Sequence, residues 1–275
     1  MNIFTCPVCS EMLYKEGKSY ICPKRHTFDI AKSGYVNLLI SKQVGKTVHG
    51  DNKLMVKARR DFLEKGYYGK LLAVLSETVA EYAENGSIIL DSGCGEGYYT
   101  KGVYSHLKEN GIEADFYGVD ISKTALEYAS KLFKEAYFAV GSVFHLPIAD
   151  KSCDMVMTLF APFCREEFLR VLKESGIFIM VIPSEKHLWG LKKAVYDTPY
   201  LNEVKDYAID GFELIKSRKI AYEINIDNNE DIQNLFSMTP YYYRTGKIQQ
   251  ERLAALNELE TEIEFEILVY SAKEN

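Results

Sequence analysis

From residue 87 onward, short unbroken apolar runs alternate with stretches whose apolar residues recur every three or four positions. SIILD (87–91), FYGVD (116–120), AYFAVG (136–141), SCDMVMTLF (152–160) and GIFIMVIPS (176–184) predict strands. Segments 121–135, 165–175 and 187–197 predict helices, and another opens after the glycine-rich stretch at 91–97. Continuous apolar strands separated by amphipathic helices imply a parallel sheet covered on both faces. Two later segments, 219–226 and 261–272, alternate more and predict an antiparallel edge. Ahead of the sheet, residues 52–66 and 69–86 predict two helices. Leu54, Ala58 and Phe62 share one face of the first, with Asp51 as its cap and Gly66 past its end. Residues 41–52 are polar, contain two glycines and read as a linker.

The first 40 residues break this pattern. Their strand-like pieces, SYIC and KRHTFDI, carry too little apolar mass for an independent core, so the segment needs a staple. The spacing Cys6-x2-Cys9-x12-Cys22-x3-His26 supplies one. Each pair has the turn geometry that points two ligands at one ion, and three thiolates with an imidazole suit tetrahedral zinc. Four protein ligands leave no open position, so the zinc is structural and adds folding energy. A redox CxxC would sit beside a βαβ unit, which this one does not.

Composition narrows the setting. At 275 residues the chain suits one main domain with a small appendage. There is no apolar run long enough for a transmembrane helix and no signal-peptide pattern. Cys94, Cys153 and Cys164 are scattered, so the cysteines form no disulfide framework, and a reducing cytoplasm is expected. The net charge of −6 is unevenly spread. Residues 1–70 hold 13 Lys and Arg against 6 Asp and Glu, a net of +7, and the remainder carries −13. A basic end on an acidic chain fits a polyanion partner.

The candidate chemistry lies in Asp91-Ser-Gly93-Cys-Gly95-Glu-Gly97, where the first strand turns into a helix. Glycines there let a ligand approach the backbone at the carboxyl edge of the sheet. A dinucleotide fingerprint would need glycine at position 98, where Tyr98 stands, and no P-loop lysine and serine pair is present. The pattern resembles motif I of the class I, Rossmann-like S-adenosylmethionine-dependent methyltransferases. That resemblance implies that Asp91, Gly93, Gly95 and Gly97 hold the cofactor's amino acid part. Asp120, at the end of the second strand, takes the ribose hydroxyls, which are donors suited to a carboxylate. Ser142, in GSVFHLP, corresponds to the loop beside the adenine, where many members carry Asp. The loop LFAPF (159–163) faces the methyl group in this fold. It lacks the [DNS]PP[FY] motif of exocyclic-amine methylation. It also lacks the Pro-Cys nucleophile of pyrimidine C5 methylation, because Phe163 separates Pro162 from Cys164. Cys164 is expected as a buried residue near a helix start.

A more specific resemblance spans nearly the whole chain. The tetrad with HTFDIAKSGYVNLL, then GDNKLMVKARRDFLEKGYY, DSGCGEGYYT, LFAP, PSEKHLWGLK and SMTPYYYR together look like the 23S rRNA (guanine-N1)-methyltransferases. This implies an α/β chain with a zinc-binding RNA-recognition module at 1–40, a linker and helices at 41–85, and a methyltransferase domain at 86–275. It implies S-adenosylmethionine and one structural zinc as cofactors, 23S rRNA as partner, no membrane, and a homodimer as an assembly to consider. Tyr68, Tyr98, Tyr99 and His187 then border the cofactor. A guanine in an RNA hairpin loop would be stacked by aromatic side chains. Phe160, Phe163, Trp189 and Tyr241 to Tyr243 are candidates, with Pro162 beside the acceptor. No sequence feature selects the proton acceptor or the guanine. A small-molecule methyltransferase shares the cofactor motifs but needs no zinc module. A non-catalytic zinc-containing RNA-binding protein needs no intact cofactor loop.

Overall fold

The computed structural model describes residues 2–40, 52–204 and 206–273. Its centre is an eight-stranded sheet. Strands β5 (Ser87–Ser92), β6 (Ala114–Asp120), β7 (Tyr137–Val140), β8 (Cys153–Leu159) and β9 (Leu172–Pro183) are parallel. β11 (Leu259–Ala272) runs antiparallel between β9 and β10 (Phe212–Ile226). The chain builds β5, β6 and β7 outward, then returns to place β8 on the other side of β5. That reversal opens a crevice beyond the carboxyl ends of β5 and β8, where ligands bind in open α/β sheets.

The unbroken apolar runs are explained by side chains alternating between two buried faces. Ile89, Met155, Met157, Ile179 and Val181 belong to one core. Leu90, Val156, Tyr117, Val119 and Phe178 belong to the other. The first core is closed by α1 (Lys53–Glu64), α2 (Gly69–Ala80), α3 (Tyr98–Glu109), α4 (Lys123–Leu132), α6 (Trp189–Val195), α7 (Asn229–Ser237) and α8 (Lys247–Ala254). The second is closed by α5 (Arg165–Val171) and by the N-terminal segment.

That segment carries β1 (Tyr14–Glu16), β2 (Ser19–Ile21) and β3 (Thr27–Asp29), which form a small antiparallel sheet. It does not stand apart from the larger body. β4 (Val36–Asn37) pairs parallel with β7 and becomes the edge of the main sheet. Phe4, fully buried, makes edge-to-face contacts with Tyr117 of β6 at 5.3 Å and with Tyr20 of β2 at 5.8 Å. Phe4 also bridges to Ile148, and Thr5 N–H donates to the Pro147 carbonyl. The 40-residue unit is therefore held by shared core as well as by its ligand cluster.

Three local expectations change. Leu54 is exposed, and the buried stripe of α1 is Met55, Val56, Ala58, Phe62 and Leu63. The proposed cap Asp51, like residues 41–51 of the linker, lies outside the described residues. The observed cap is Asn52, whose Oδ1 accepts from Met55 N–H at 3.0 Å. The helix expected over 165–175 ends at Val171, because Leu172 turns extended and pairs with Cys153 of β8. Ser175, at φ +56°, then kinks the strand ahead of its apolar half. Among the described residues no helix is long and apolar enough to cross a membrane.

Candidate active site and metal centre

The four metal-ligand candidates converge. One ligand atom from each of Cys6, Cys9, Cys22 and His26 lies within 4.8 Å of all the others. His26 Nδ1 is 3.5 Å from Cys6 Sγ and 3.4 Å from Cys22 Sγ, and Cys9 Sγ is 3.7 Å from Cys22 Sγ. A tetrahedral ion with Zn–S near 2.3 Å and Zn–N near 2.05 Å separates its ligands by about 3.8 Å (S to S) and about 3.5 Å (S to N). The donor set and its spacing thus fit one zinc. Each half closes in a tight turn of its own: Ser10 N–H donates to the Cys6 carbonyl four residues back, and Arg25 N–H to the Cys22 carbonyl three residues back. Ser10 and Arg25 take positive φ of 61° and 66°. The His26 amide donates to Cys22 Sγ at 3.3 Å, which stabilises a thiolate there.

The glycine loop sits at the crevice between β5 and α3. Gly93 has φ +85°, and a Cβ on it would lie 2.2 Å from the Ala161 Cβ. Gly97, the left-handed N-cap of α3, would bring a Cβ to 3.0 Å from the Ala129 Cβ. Gly93 therefore excludes a side chain by conformation and by space, and Gly97 disfavours one by conformation and leaves it little room. The loop is stitched to the end of β6. Gly93 N–H donates to the Val119 carbonyl at 2.8 Å, and Gly95 N–H to Asp120 Oδ2 at 2.9 Å. Asp120 Oδ1 accepts from Ser122 N–H at 2.7 Å. Asp91 is buried, and its Oδ2 accepts from Thr100 Oγ1 at 2.6 Å. Among the described residues its buried Oδ1 has no hydrogen-bond partner, so the loop holds an acceptor suited to a donor such as an ammonium. Burial chiefly pushes the Asp91 carboxyl up to about 7, with Asp120 and Glu96 adding to the rise and the Thr100 bond opposing it. The residues present fit the amino acid end of S-adenosylmethionine.

On the other side, an aromatic wall joins distant segments. Tyr68 precedes α2, is buried, and meets Phe265 of β11 at 5.1 Å. His187 packs on Phe265 at 4.3 Å, and Phe160 meets the same ring at 5.1 Å. Tyr99 reaches Phe160 at 6.4 Å, and Tyr98 contacts Tyr99 at 5.0 Å. Burial holds the His187 imidazole down to about 3, so the ring is neutral. Its Nδ1 accepts from Glu264 N–H at 3.3 Å, which assigns the hydrogen to Nε2. The structure thus gathers Tyr68, Phe160 and His187 around one ring that the sequence reading did not single out, with Tyr99 joined to it through Phe160 and Tyr98 through Tyr99. Phe265 lies on β11, far along the chain and between β9 and β10, and its alternating neighbours gave no sign of it.

The remaining candidates separate. Ser142 is buried after β7 and its Oγ accepts from Phe144 N–H at 3.2 Å, within its own turn. Phe160 is half exposed at φ +57°, and Pro162 is exposed beside it. Phe163 does not face the acceptor side. It stacks on Phe178 at 5.5 Å and meets Phe168 edge-on, packing against the second core. Cys164 is half-buried at the N-cap of α5. Tyr241 lies in a short 3-10 segment, Pro240–Arg244, with its hydroxyl 3.4 Å from Asn202 Oδ1. Tyr242 packs on Phe236, and Tyr243 bonds Asn52 and Met55 of α1.

Asn202 is a second residue that sequence reasoning missed. Its amide donates to the Ser184 carbonyl at 2.8 Å and to the His187 carbonyl at 3.4 Å, and its backbone N–H donates to the Glu185 carbonyl. Its Oδ1 accepts from the buried Lys192 ammonium at 2.6 Å. Lys192 also donates to the Tyr200 carbonyl and lies over the rings of Tyr200 and Tyr241. This cluster fixes the loop that presents His187.

Comparison with known proteins agrees with both halves of the site. The profile described as RlmA, N-terminal, a zinc ribbon, matches residues 4–43, and a methyltransferase domain profile matches residues 83–236. YxjB of Bacillus subtilis, provisionally assigned as a 23S rRNA (guanine-N(1)-)-methyltransferase, is 32% identical across 98% of this chain and 96% of its own. The 23S rRNA (guanine(748)-N(1))-methyltransferase of Streptomyces fradiae is 32% identical across 69% of this chain and 66% of its own. In fold, the crystal structure of the YcgJ protein from Bacillus subtilis superposes with a TM-score of 0.51 at 18% identity, covering 74% of this chain and 98% of that one. A zinc ribbon docked on a class I methyltransferase sheet, with likeness along nearly its full length, makes this chain a member of the 23S rRNA (guanine-N1)-methyltransferase family.

Proposed function

We propose that this chain transfers the methyl group of S-adenosylmethionine to N1 of a guanine in a hairpin loop of 23S rRNA. The observation that carries the reading is the union, in one packed body, of the ligand tetrad and the glycine loop, each matched by its own family profile. Residues 1–40 serve as the RNA-recognition module, 41–85 as linker and leading helices, and 86–275 as the methyltransferase domain. Bound S-adenosylmethionine supplies a methyl group already activated on a sulfonium.

The residues bind and orient. Asp91 and the glycines Gly93, Gly95 and Gly97 hold the amino acid end. Asp120 takes the ribose, because its carboxylate oxygens are acceptors suited to the two ribose hydroxyls, which are donors. Ser142 borders the adenine. Tyr68, Tyr98, Tyr99 and neutral His187 wall the pocket and exclude water. Phe160, Pro162 and Tyr241 face the acceptor. N1 of guanine is paired in a duplex, so the base must be looped out before it can lie in line with the methyl group. Phosphate contacts by the zinc module and the basic linker that follows it make RNA affinity fall steeply with salt. A homodimer is the assembly to test, by sedimentation against the 31.4 kDa chain mass.

The test is incubation with unmodified 23S rRNA and labelled S-adenosylmethionine, followed by reverse transcription. A new stop at one guanine is expected, since methylated N1 cannot pair. Label found only in small metabolites supports a small-molecule enzyme instead.

A further inference from the structure

The mouth of the glycine loop concentrates negative charge. Asp91, Glu96 and Asp120 meet there, with Asp91 and Glu96 buried. Asp120 is tied to the loop directly, its Oδ2 accepting from Gly95 N–H at 2.9 Å, next to Glu96 in the chain. The amino acid end of S-adenosylmethionine carries a carboxylate of its own. Three protein carboxylates repel it, so a cation must face the loop.

Arg59 of α1 is in that position. Its Nη1 lies 3.8 Å from Glu96 Oε2, between two glycines of the loop. The same Nη1 is 3.7 Å from the point a Cβ on Gly95 would occupy, so the guanidinium lies over the loop backbone. The neighbouring Arg60 is directed elsewhere, bonding Asp61 and lying 4.7 Å over the Tyr128 ring. Arg59 stands on a helix fixed by buried Met55, Val56, Ala58, Phe62 and Leu63, which holds its backbone in place beside the loop. Resting on the cofactor reading above, we propose that Arg59 receives the carboxylate of the cofactor's amino acid part and that Glu96 positions Arg59 for it. A guanidinium presents a planar fork of donors that matches a carboxylate with two parallel bonds, which a lysine ammonium does not. The loop then accommodates a zwitterion, with Asp91 toward the ammonium and Arg59 toward the carboxylate.

The test compares two ligands by calorimetry on the full chain. One is S-adenosylhomocysteine. The other is its decarboxylated analogue, which keeps the ammonium and the nucleoside. Arg59→Gln is expected to weaken S-adenosylhomocysteine by about 100-fold, the effect of losing a charge-assisted pair, and to leave the analogue within about threefold. The double variant R59Q/E96Q, which does not strand the Glu96 carboxylate, is expected to show the same selective loss. Arg59→Lys is expected to recover only part of it. Equal weakening of both ligands in both variants, or no weakening of either, overturns the assignment while leaving the cofactor reading intact. If the wild-type chain binds neither ligand, the cofactor reading itself fails, and this assignment with it.

Discussion

Alanine at position 93 meets two separate obstacles. The backbone there has φ +85°, which costs an L-residue about 1–2 kcal/mol. Its Cβ would also lie 2.2 Å from the Ala161 Cβ, far inside the usual carbon contact of about 3.5–4.0 Å. Relieving that overlap moves the loop after β8 against the loop after β5, and overpacking of this kind costs about 1–3 kcal/mol. Gly93→Ala should therefore lose about 2–5 kcal/mol, read as unfolding free energy in urea. The two terms can be separated. Ala161→Gly removes the clashing methyl but leaves φ unchanged, so G93A/A161G should recover about 1–3 kcal/mol and no more. Calorimetry with S-adenosylhomocysteine should follow the same order, with the double variant binding more tightly than G93A alone. Wild-type stability in G93A, or no recovery in the double variant, would refute the claim that these loops are in steric contact.

Other expectations follow from the same geometry. Phe4→Ala empties a fully buried site shared by the zinc module and the main sheet, and should cost about 3–5 kcal/mol in urea unfolding. Chelation, or Cys9→Ser, should loosen residues 2–40 to hydrogen exchange and weaken rRNA binding while S-adenosylhomocysteine still binds. Asn202→Ala leaves the buried Lys192 ammonium without its 2.6 Å acceptor, and should cost about 1.5–3 kcal/mol and lower cofactor affinity through the His187 loop. The Asp91 carboxyl titrates near 7 in the folded chain and near 3.9 unfolded, so the folded state holds the extra proton between those values. Its contribution to stability therefore falls as pH rises from about 4 to about 7, and Asp91→Asn removes that slope. The difference between wild type and D91N in urea unfolding at several pH values checks it.

The parts of the fold legible in the sequence are those set by local chemistry. Ligand spacing over 21 residues marked the metal centre, because each half closes within one turn. The glycine loop and Asp120 were legible because strand ends carry them to the crevice. Pairings between distant segments were not. Val36 joins the main sheet only by meeting Ala139, and Phe265 reaches His187 only because β11 inserts beside β9. Phe163 read as an acceptor-side aromatic because it follows Pro162, yet one residue's shift aims it into the opposite core. Arg59 stood within a conspicuous basic helix, but nothing in that run separates it from Arg60.

The most direct measurement is the identity of the methylated nucleoside. Unmodified 23S rRNA treated with the protein and S-adenosylmethionine is digested to nucleosides and analysed by mass spectrometry. The account predicts 1-methylguanosine, approaching one per rRNA molecule. A different methylated nucleoside, or none while the protein binds the cofactor, would contradict it.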